Sequence, residues 1–382
     1  MNMFKKSLIA VAALSALAGS AMAADVQIYG RIDTGFRYQN VDYDKAAVDD
    51  ASKFEMATGN YTGNRVGIKG SEDLGNGLTV GFVLENGFDA DTGAEKYDGL
   101  FGRESIVYLE GDFGKIAAGK MGILNSTAGS FAIGNFTPWG TGWGAVGDQT
   151  LIFGAKFDTR MNNMIAYRSP EFAGFQVHAQ YSFGDNGASE GKTTTDRYYA
   201  LGATYKNGGL NLIGIVDSVN EAHPAGTEDP DDTLRVTLGG SYDFGVVKPY
   251  LSAAYFKDAR MTSWMDSYSS GETNTIWNPD AETGYLNGDW DGYGVIIGAS
   301  APLVGGTAHM TIGYMDSELQ NTVEGADLTR YTFAIGYEYP LSKRTKVYAD
   351  AGYFKDEFDW GNNWEDVEPE GYQAAVGLVH YF

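Results

Sequence analysis

The segment VQIYGRIDTGFRY, residues 26–38, alternates apolar and polar side chains. Successive side chains of an extended strand point to opposite faces, so Val26, Ile28 and Phe36 share one face while Gln27 and Arg31 share the other. One face therefore suits an apolar environment and the other suits water. A soluble β-sandwich and a membrane β-barrel both present this pattern, so the rest of the chain must distinguish them.

Segments with the same two-residue period recur along the whole chain, and about sixteen of them are predicted to be strands. They lie near residues 26–39, 64–70, 78–88, 103–111, 115–121, 162–168, 175–183, 197–206, 210–217, 234–243, 247–257, 291–301, 306–316, 329–339, 345–356 and 371–382. The 52 glycines of the chain argue against long helices. The sequence therefore predicts an all-β fold.

The connections between these segments alternate in length. Short ones read SEDLGNG, GDFG, SPEFAG, KNGG, PLVGG and PLSKR, and much longer ones lie between them. Outer-membrane barrels have this asymmetry, with short periplasmic turns, long extracellular loops and an even number of strands, whereas a soluble sandwich has no reason for it. We therefore predict a 16-stranded antiparallel transmembrane β-barrel with a polar, water-filled interior.

The N-terminus has the features of a secretory signal. Lys5 and Lys6 precede an apolar run, and small residues follow at 21–23, so residues 1–23 are predicted to be removed and residues 24–382 to form the barrel. A net charge of −23 makes nucleic acid an improbable partner. The chain has no cysteine, which excludes disulfides and thiolate metal sites. Together these features predict export to the bacterial outer membrane.

Five blocks of the sequence resemble the general porins of Gram-negative outer membranes, with the neisserial and beta-proteobacterial branch the most similar. They read GNRVGIKGSEDLGNGLTVGFVLENGF, GRESIVYLEGDFGKIAAGK, NNMIAYRSPEFAGFQVHAQYSF, PLSKRTKVYAD and VGLVHYF, in the order of the family. The resemblance implies a homotrimer that conducts small hydrophilic solutes and ions and is surrounded by outer-membrane lipid and lipopolysaccharide. It also implies that the barrel-assembly machinery recognises the terminal Phe382.

The third long connection, residues 122–160, is too long to be an idle loop. In the porins that the chain resembles, this loop folds into the barrel and narrows it. The alternation predicts lumenal side chains near that level, and Arg65, Arg103 and Arg160 match the family's arginine cluster. With these arginines facing carboxylates across a narrow gap, the expected constriction residues are Arg65, Lys69, Glu85, Arg103, Asp148 and Arg160.

The third loop is also rich in aromatic side chains, and two interpretations remain open. The rings could form a track on which sugars stack, or they could anchor the loop against the barrel wall. The candidate aromatic contacts are Phe131, Phe136, Trp139 and Trp143.

The outer loops are acidic, with eighteen Asp or Glu and a single Arg in residues 217–233, 258–290 and 357–370. The densest run is Glu228, Asp229, Asp231 and Asp232. It could bind Ca²⁺ or Mg²⁺ that bridges to lipopolysaccharide phosphates, or it could be a solvated loop. No other cofactor is expected. Acidic loops favour cations and an arginine-lined constriction favours anions, so the sequence leaves the selectivity open.

Catalysis has little support in the sequence. The four histidines have no metal-ligand spacing and no nucleophile motif accompanies them, so we predict that the protein is not an enzyme. The prediction is a passive outer-membrane porin. Two alternatives remain, a substrate-specific channel for a sugar or organic anion, and an adhesin or structural barrel with a closed lumen.

Overall fold

The computed structural model describes residues 25–44, 50–97, 99–154, 159–184, 196–220, 231–262, 264, 285–320, 325–360 and 366–382. The predicted signal segment, residues 1–23, lies outside the described residues. Within the described part of the chain, no helix is both long enough and apolar enough to cross a membrane.

Antiparallel strands form one closed sheet, as the alternation predicts. The strands are β1 (Gln27–Asp42), β2 (Ala51–Thr58), β3 (Arg65–Gly75), β4 (Leu78–Gly87), β5 (Glu104–Gly111), β6 (Gly114–Gly122), β7 (Arg160–Arg168), β8 (Phe175–Ser182), β9 (Arg197–Asn207), β10 (Leu210–Asn220), β11 (Thr233–Tyr242), β12 (Lys248–Thr262), β13 (Tyr285–Leu303), β14 (Gly306–Leu319), β15 (Asp327–Pro340), β16 (Thr345–Asp359) and β17 (Glu370–Tyr381). From β3 to β17 each strand pairs with the next along the wall, and the register of β1 with β17 closes the barrel. Closure removes the sheet edges that lipid could not satisfy.

β2 and β3 occupy a single position in the wall. β1 pairs with β2 through residues 34–41 and with β3 through residues 27–31. The seventeen segments therefore make sixteen positions, which confirms the predicted barrel. The sequence did not predict β2, and it did not predict that residues 59–64 interrupt this position.

The two faces of the wall differ as the alternation predicts. Ile28 is 65% exposed on the outer face, and Leu201 and Ile297 are each 60% exposed there. Asp33 and Ser182, on the inner face, are fully buried. An apolar outer face is what lipid requires, and polar inner side chains are typical of a wet lumen.

The third loop, residues 123–159, begins after β6 and its described part lies inside the barrel. It contains a 3₁₀ turn at Gly144–Gly147 and a one-turn helix, α1, at Thr150–Phe153. Lumenal glycines make room for it. A Cβ added at Gly294 would lie 1.9 Å from the carbonyl oxygen of Ile152, and one at Gly336 would lie 2.6 Å from the ring of Trp139. Gly202, Gly239, Gly298, Gly313 and Gly352 are placed similarly against the loop. These seven glycines, here called the glycine bed, leave space on the lumenal wall that the inward-folded loop occupies.

The C-terminal residue completes the closing seam. Backbone hydrogen bonds join Gly30 and Phe382 in both directions, at 3.0 and 3.1 Å. The ring of Phe382 lies over Gly30, where an added Cβ would approach it to 2.4 Å. The terminal aromatic side chain is thus seated on the first strand at the outer face.

Candidate pore constriction

Two arginines share one carboxylate on the lumenal wall. Arg65 is the first residue of β3, Glu85 lies in β4, and Arg103 immediately precedes β5. Oε1 of Glu85 accepts hydrogen bonds from Nε of Arg103 at 2.7 Å and from Nη1 of Arg65 at 3.3 Å. All three side chains are buried. The prediction that Glu85 faces the guanidinium groups across the gap is therefore wrong, because Glu85 lies among them.

Tyr97, in the second long loop, lies between two of the arginines. The guanidinium carbons of Arg160 and Arg103 are 5.2 and 5.5 Å from the centroid of its ring. Nη1 of Arg103 donates a hydrogen bond to the Tyr97 hydroxyl at 3.4 Å. Stacking on an aromatic face holds a guanidinium in place without neutralising its charge. Tyr97 was not predicted from the sequence, since alternation gives no information about a loop.

The loops and the wall enclose a cavity of about 280 Å³ in which the predicted residues meet. Arg65, Arg103, Arg160 and Asp148 all line it. Asp148 is exposed to this space and accepts hydrogen bonds from the backbone N and Oγ1 of Thr150, at 2.9 and 2.7 Å. The cavity wall also includes Lys96, Tyr97, Asp217 and Arg235.

Lys69 does not lie with the other predicted constriction residues. It points inward on β3, but it lies opposite Gln27, the first residue of β1, and is exposed toward the short-turn end. Its ammonium nitrogen is 5.3 Å from the centroid of the Tyr29 ring. The alternation predicted the face of Lys69 correctly and its depth in the barrel incorrectly.

Two cross-strand ion pairs hold the end of the third loop. Arg235 forms a bidentate pair with Asp217, at 3.1 and 2.7 Å, and its Nη1 donates to the carbonyl oxygen of Gly154 at 2.8 Å. Arg330 and Asp356 form a second bidentate pair, at 2.6 and 2.8 Å. The remaining guanidinium nitrogen again contacts the loop, because Nη1 of Arg330 donates a hydrogen bond to the carbonyl oxygen of Leu151 at 3.0 Å.

These pairs place guanidinium groups at the C-terminal end of α1, where helical carbonyls lack intrahelical partners. Neither ion pair was predicted from the sequence, although the positions of the charged residues contained the information. The partners of each pair face each other directly on neighbouring antiparallel strands, Asp217 with Arg235 and Arg330 with Asp356. Opposite charges at inward-facing positions of adjacent strands could therefore have identified both of the ion pairs that hold the loop.

The aromatic side chains of the third loop pack against the wall. Phe131, Trp139 and Trp143 are buried, and Phe136 is half-buried. Nε1 of Trp139 donates to Oγ1 of Thr311 at 2.8 Å. This arrangement favours the anchoring interpretation over a sugar track, because a stacking surface must expose the faces of its rings.

Residues 59–64 of the interrupted wall position fold inward and contact the third loop. The ring of Tyr61 lies 4.8 Å from that of Trp143, centroid to centroid. Asp33 accepts a hydrogen bond from the backbone N of Thr62 at 2.7 Å, and Nδ2 of Asn60 donates to Asp350 at 2.8 Å. Two buried lumenal carboxylates therefore hold this segment, which supports the loop from a second side.

The predicted divalent-cation run falls partly outside the described residues, with Glu228 and Asp229 among those not described. Asp231 and Asp232 are exposed, and Asp232 accepts a hydrogen bond from Asn220 at 2.8 Å. Within the described ranges, no group of three or more His, Asp or Glu side chains is placed to hold a metal ion.

Comparisons with known proteins agree with this architecture. A family model described as Gram-negative porin matches residues 10–359. The chain is 35% identical to an outer membrane porin protein of Bordetella pertussis, in an alignment covering 99% of this chain and 100% of that protein. It is 31% identical to outer membrane porin protein 32 of Delftia acidovorans, with the same coverage. Among solved structures, an anion-selective porin from Comamonas acidovorans superposes with a TM-score of 0.63 at 25% identity, covering 94% of this chain and 100% of that one.

Proposed function

Because the chain belongs to the Gram-negative porin family, we propose that its outer-membrane barrel is a passive, water-filled channel for small hydrophilic solutes that favours anions. The arrangement of charge at the constriction carries this proposal. Arg65, Arg103 and Arg160 lie together, and among the described residues one carboxylate, Glu85, forms ion pairs with the cluster. The surplus of positive charge in a narrow space lowers the energy of an anion and raises that of a cation.

The other charged residues of the cavity lining balance and leave the surplus of the arginines unchanged. Lys96 lines the cavity, and the charge of Arg235 is matched by Asp217. The carboxylate of Asp148 is the opposing charge on the third loop. The structural neighbour from Comamonas acidovorans is described as anion-selective, which supports the same preference here.

The proposed assembly is a homotrimer in outer-membrane lipid and lipopolysaccharide. Membership of the porin family supports it, and so does a broad apolar outer wall. The seating of Phe382 on Gly30 fits a terminal signal for the barrel-assembly machinery, since the residue completes the closing seam. Channel function also agrees with the expectation that the protein has no catalytic activity.

The proposal is tested by measuring reversal potential in a planar bilayer under a KCl gradient. The wild-type protein should give the sign of an anion-preferring pore, and conductance should appear in steps of three if the trimer inserts as a unit. The double substitution Arg103→Gln and Arg160→Gln should move the reversal potential toward that of a cation-preferring pore. Arg344→Gln is the matched control, because Arg344 is exposed in the turn before β16.

A wild-type reversal potential of the cationic sign would contradict the proposed selectivity. So would an unchanged potential in the double variant when its conductance is normal. Absence of current from a folded protein would contradict the channel itself and would point to a closed lumen.

A further inference from the structure

Six basic side chains face the lumen between the third loop and the short turns, on strands spread around the wall. This inner ring consists of Lys69, Lys115, Arg168, Lys206, Lys248 and Lys346. Inward orientation follows from the alternation, since exposed outward neighbours such as Ile116 and Val247 flank them in sequence. Lys115 and Arg168 are direct cross-strand partners, so two like charges are adjacent on the lumenal face.

Aromatic side chains contact several of the basic residues of the inner ring. The ammonium nitrogens of Lys115 and Lys248 lie 4.0 and 5.1 Å from the ring centroids of Tyr108 and Tyr250. The guanidinium of Arg168 lies 5.5 Å from the Phe131 ring of the third loop. Such contacts orient a cation and leave its charge in place, which a carboxylate partner would not.

Neutralisation of the inner ring is incomplete. Glu110 pairs with Lys115 at 2.7 Å and Glu338 pairs with Lys346 at 3.1 Å. Within the described residues, Lys69, Lys206 and Lys248 lie in no ion pair, and Lys206 is exposed to the lumen. Like charges directly opposite each other destabilise a sheet, so the placement of Lys115 beside Arg168 is unfavourable for the wall itself.

The long connections carry the opposite charge in the sequence. The segments 217–233, 258–290 and 357–370, which include those connections and the adjoining strand ends, hold eighteen acidic residues and one Arg, and one of the acids, Asp217, is paired with Arg235. An anion that approaches from the long-loop end meets a negative potential before it reaches the arginines. One that approaches from the short-turn end passes the exposed Asp112, Glu171 and Asp243 of the turns and then meets the inner ring, so the two mouths are electrostatically unlike.

We propose that the inner ring is a binding site for small multivalent anions, such as polycarboxylates or polyphosphates, that enter from the short-turn, periplasmic end. The inference rests on the proposed channel. It adds to the arginine cluster a second anion site, which ions reach from the short-turn end. Several ring cations act together on a multivalent ion, whereas a monovalent ion such as chloride passes. The pore is therefore occluded by these ions at lower concentration from the short-turn side than from the long-loop side.

The test is the block of KCl current by citrate, whose carboxylates are ionised at about pH 7.5. Citrate is added to each chamber in turn. The orientation of the inserted protein is read from Ser342→Cys, because Ser342 is exposed in a short turn and the chain has no cysteine of its own. Biotin attached to that cysteine and streptavidin added to one chamber identify the short-turn side.

Citrate should block the wild-type pore at lower concentration from the short-turn side than from the long-loop side. Lys206→Gln with Lys248→Gln should raise the concentration for half-block from the short-turn side by about three- to tenfold. Lys53→Gln, a neutralised lysine in β2 at the long-loop end, should leave it unchanged.

Equal block from both sides would overturn the proposal and assign citrate binding to the arginine cluster alone. An unchanged half-block concentration in the double lysine variant would also overturn it. Both outcomes require a conducting pore, so they differ from a failure of the proposed channel, in which no KCl current would be present before citrate is added.

Discussion

Oε1 of Glu85 lies 2.7 Å from Nε of Arg103, on the same wall of the lumen as the guanidinium that it neutralises. The same oxygen accepts a hydrogen bond from Arg65. Glu85 therefore determines how strongly the positive charge of the arginine cluster acts on a permeating ion. It does not form the opposite pole of a field across the pore.

Removing this carboxylate should strengthen the preference for anions. Glu85→Gln keeps the shape of the side chain and leaves Arg65 and Arg103 without their shared counter-charge. We expect the anion-to-cation permeability ratio to rise by about two- to threefold, since the charges are close and partly desolvated. Reversal potential in a KCl gradient measures it, and a lower ratio in a normally folded variant would disagree.

Alkaline pH should weaken the anion preference through Tyr97. Burial is the largest effect on the pKa of Tyr97 and raises it, but the charges of Arg103 and Arg160, with smaller help from Lys96, outweigh burial and lower the net pKa below its usual value. The phenol is neutral below its pKa and negative above it. Rising pH therefore adds a negative charge between two arginines, and the reversal potential should move toward the cationic side at a pH below the usual tyrosine pKa of about 10.

Tyr97→Phe separates this titration from that of the lysines. The variant keeps the ring that the two guanidinium groups contact and removes the hydroxyl. Its reversal potential should change less with pH than that of the wild type over the same range. Identical pH profiles would assign the change to other groups.

The glycine bed of the third loop should be sensitive to added side chains. At Gly336 a Cβ would lie 2.6 Å from the ring of Trp139 and 3.0 Å from that of Trp143, so Gly336→Val must displace the loop. Overpacking of this kind costs about 1–3 kcal/mol. We expect a lower thermal unfolding midpoint and an altered single-channel conductance.

Gly214→Ala is the control for that substitution. An added Cβ there has its nearest contact at 3.4 Å, with Leu238, which is ordinary van der Waals distance. Conductance and unfolding midpoint should match the wild type. If Gly336→Val also matched the wild type, the loop would not rest on the glycine bed as described.

The ion pair of Arg330 and Asp356 should stabilise the loop more than the barrel. Arg330→Met leaves a buried carboxylate without this partner, which costs about 3–5 kcal/mol. The double variant Arg330→Met, Asp356→Leu removes both charges and should recover most of the unfolding midpoint. It still lacks the donor to the carbonyl oxygen of Leu151, so its open-channel current should fluctuate more than that of the wild type.

Double-mutant analysis separates the two roles. Recovery of the midpoint with noisy current supports an anchor of the loop. Recovery of both properties would mean that the hydrogen bond to Leu151 is dispensable. A double variant as unstable as Arg330→Met would mean that the pair stabilises the wall itself.

Much of the wall could be predicted from the sequence. The alternation in residues 26–38 placed Ile28 and Phe36 outside and Asp33 inside, and the structure confirms this because the side-chain period of a strand is two whatever its surroundings. The contrast between short turns and long connections predicted the barrel. The inward third loop followed from its length and from the family resemblance.

Other features needed the tertiary structure. Alternation gave the inward face of Lys69 but not its depth, and that of Glu85 but not its contact with the arginines, because both depend on the stagger of neighbouring strands around the barrel. Tyr97 reaches the arginines from a loop whose path no periodicity encodes. The segment 59–64 interrupts a strand and folds inward through contacts with Asp33 and Asp350, which are distant in sequence.

The sequence by itself determined the class of fold, the two faces of its strands and the acidic character of its long connections, since each depends on local period and composition. Only the tertiary structure decided which charges meet. Glu85 joins Arg103, the anchors Arg235 and Arg330 reach the third loop, and glycines lie beneath it, because each contact depends on strand register and on a loop that crosses the lumen.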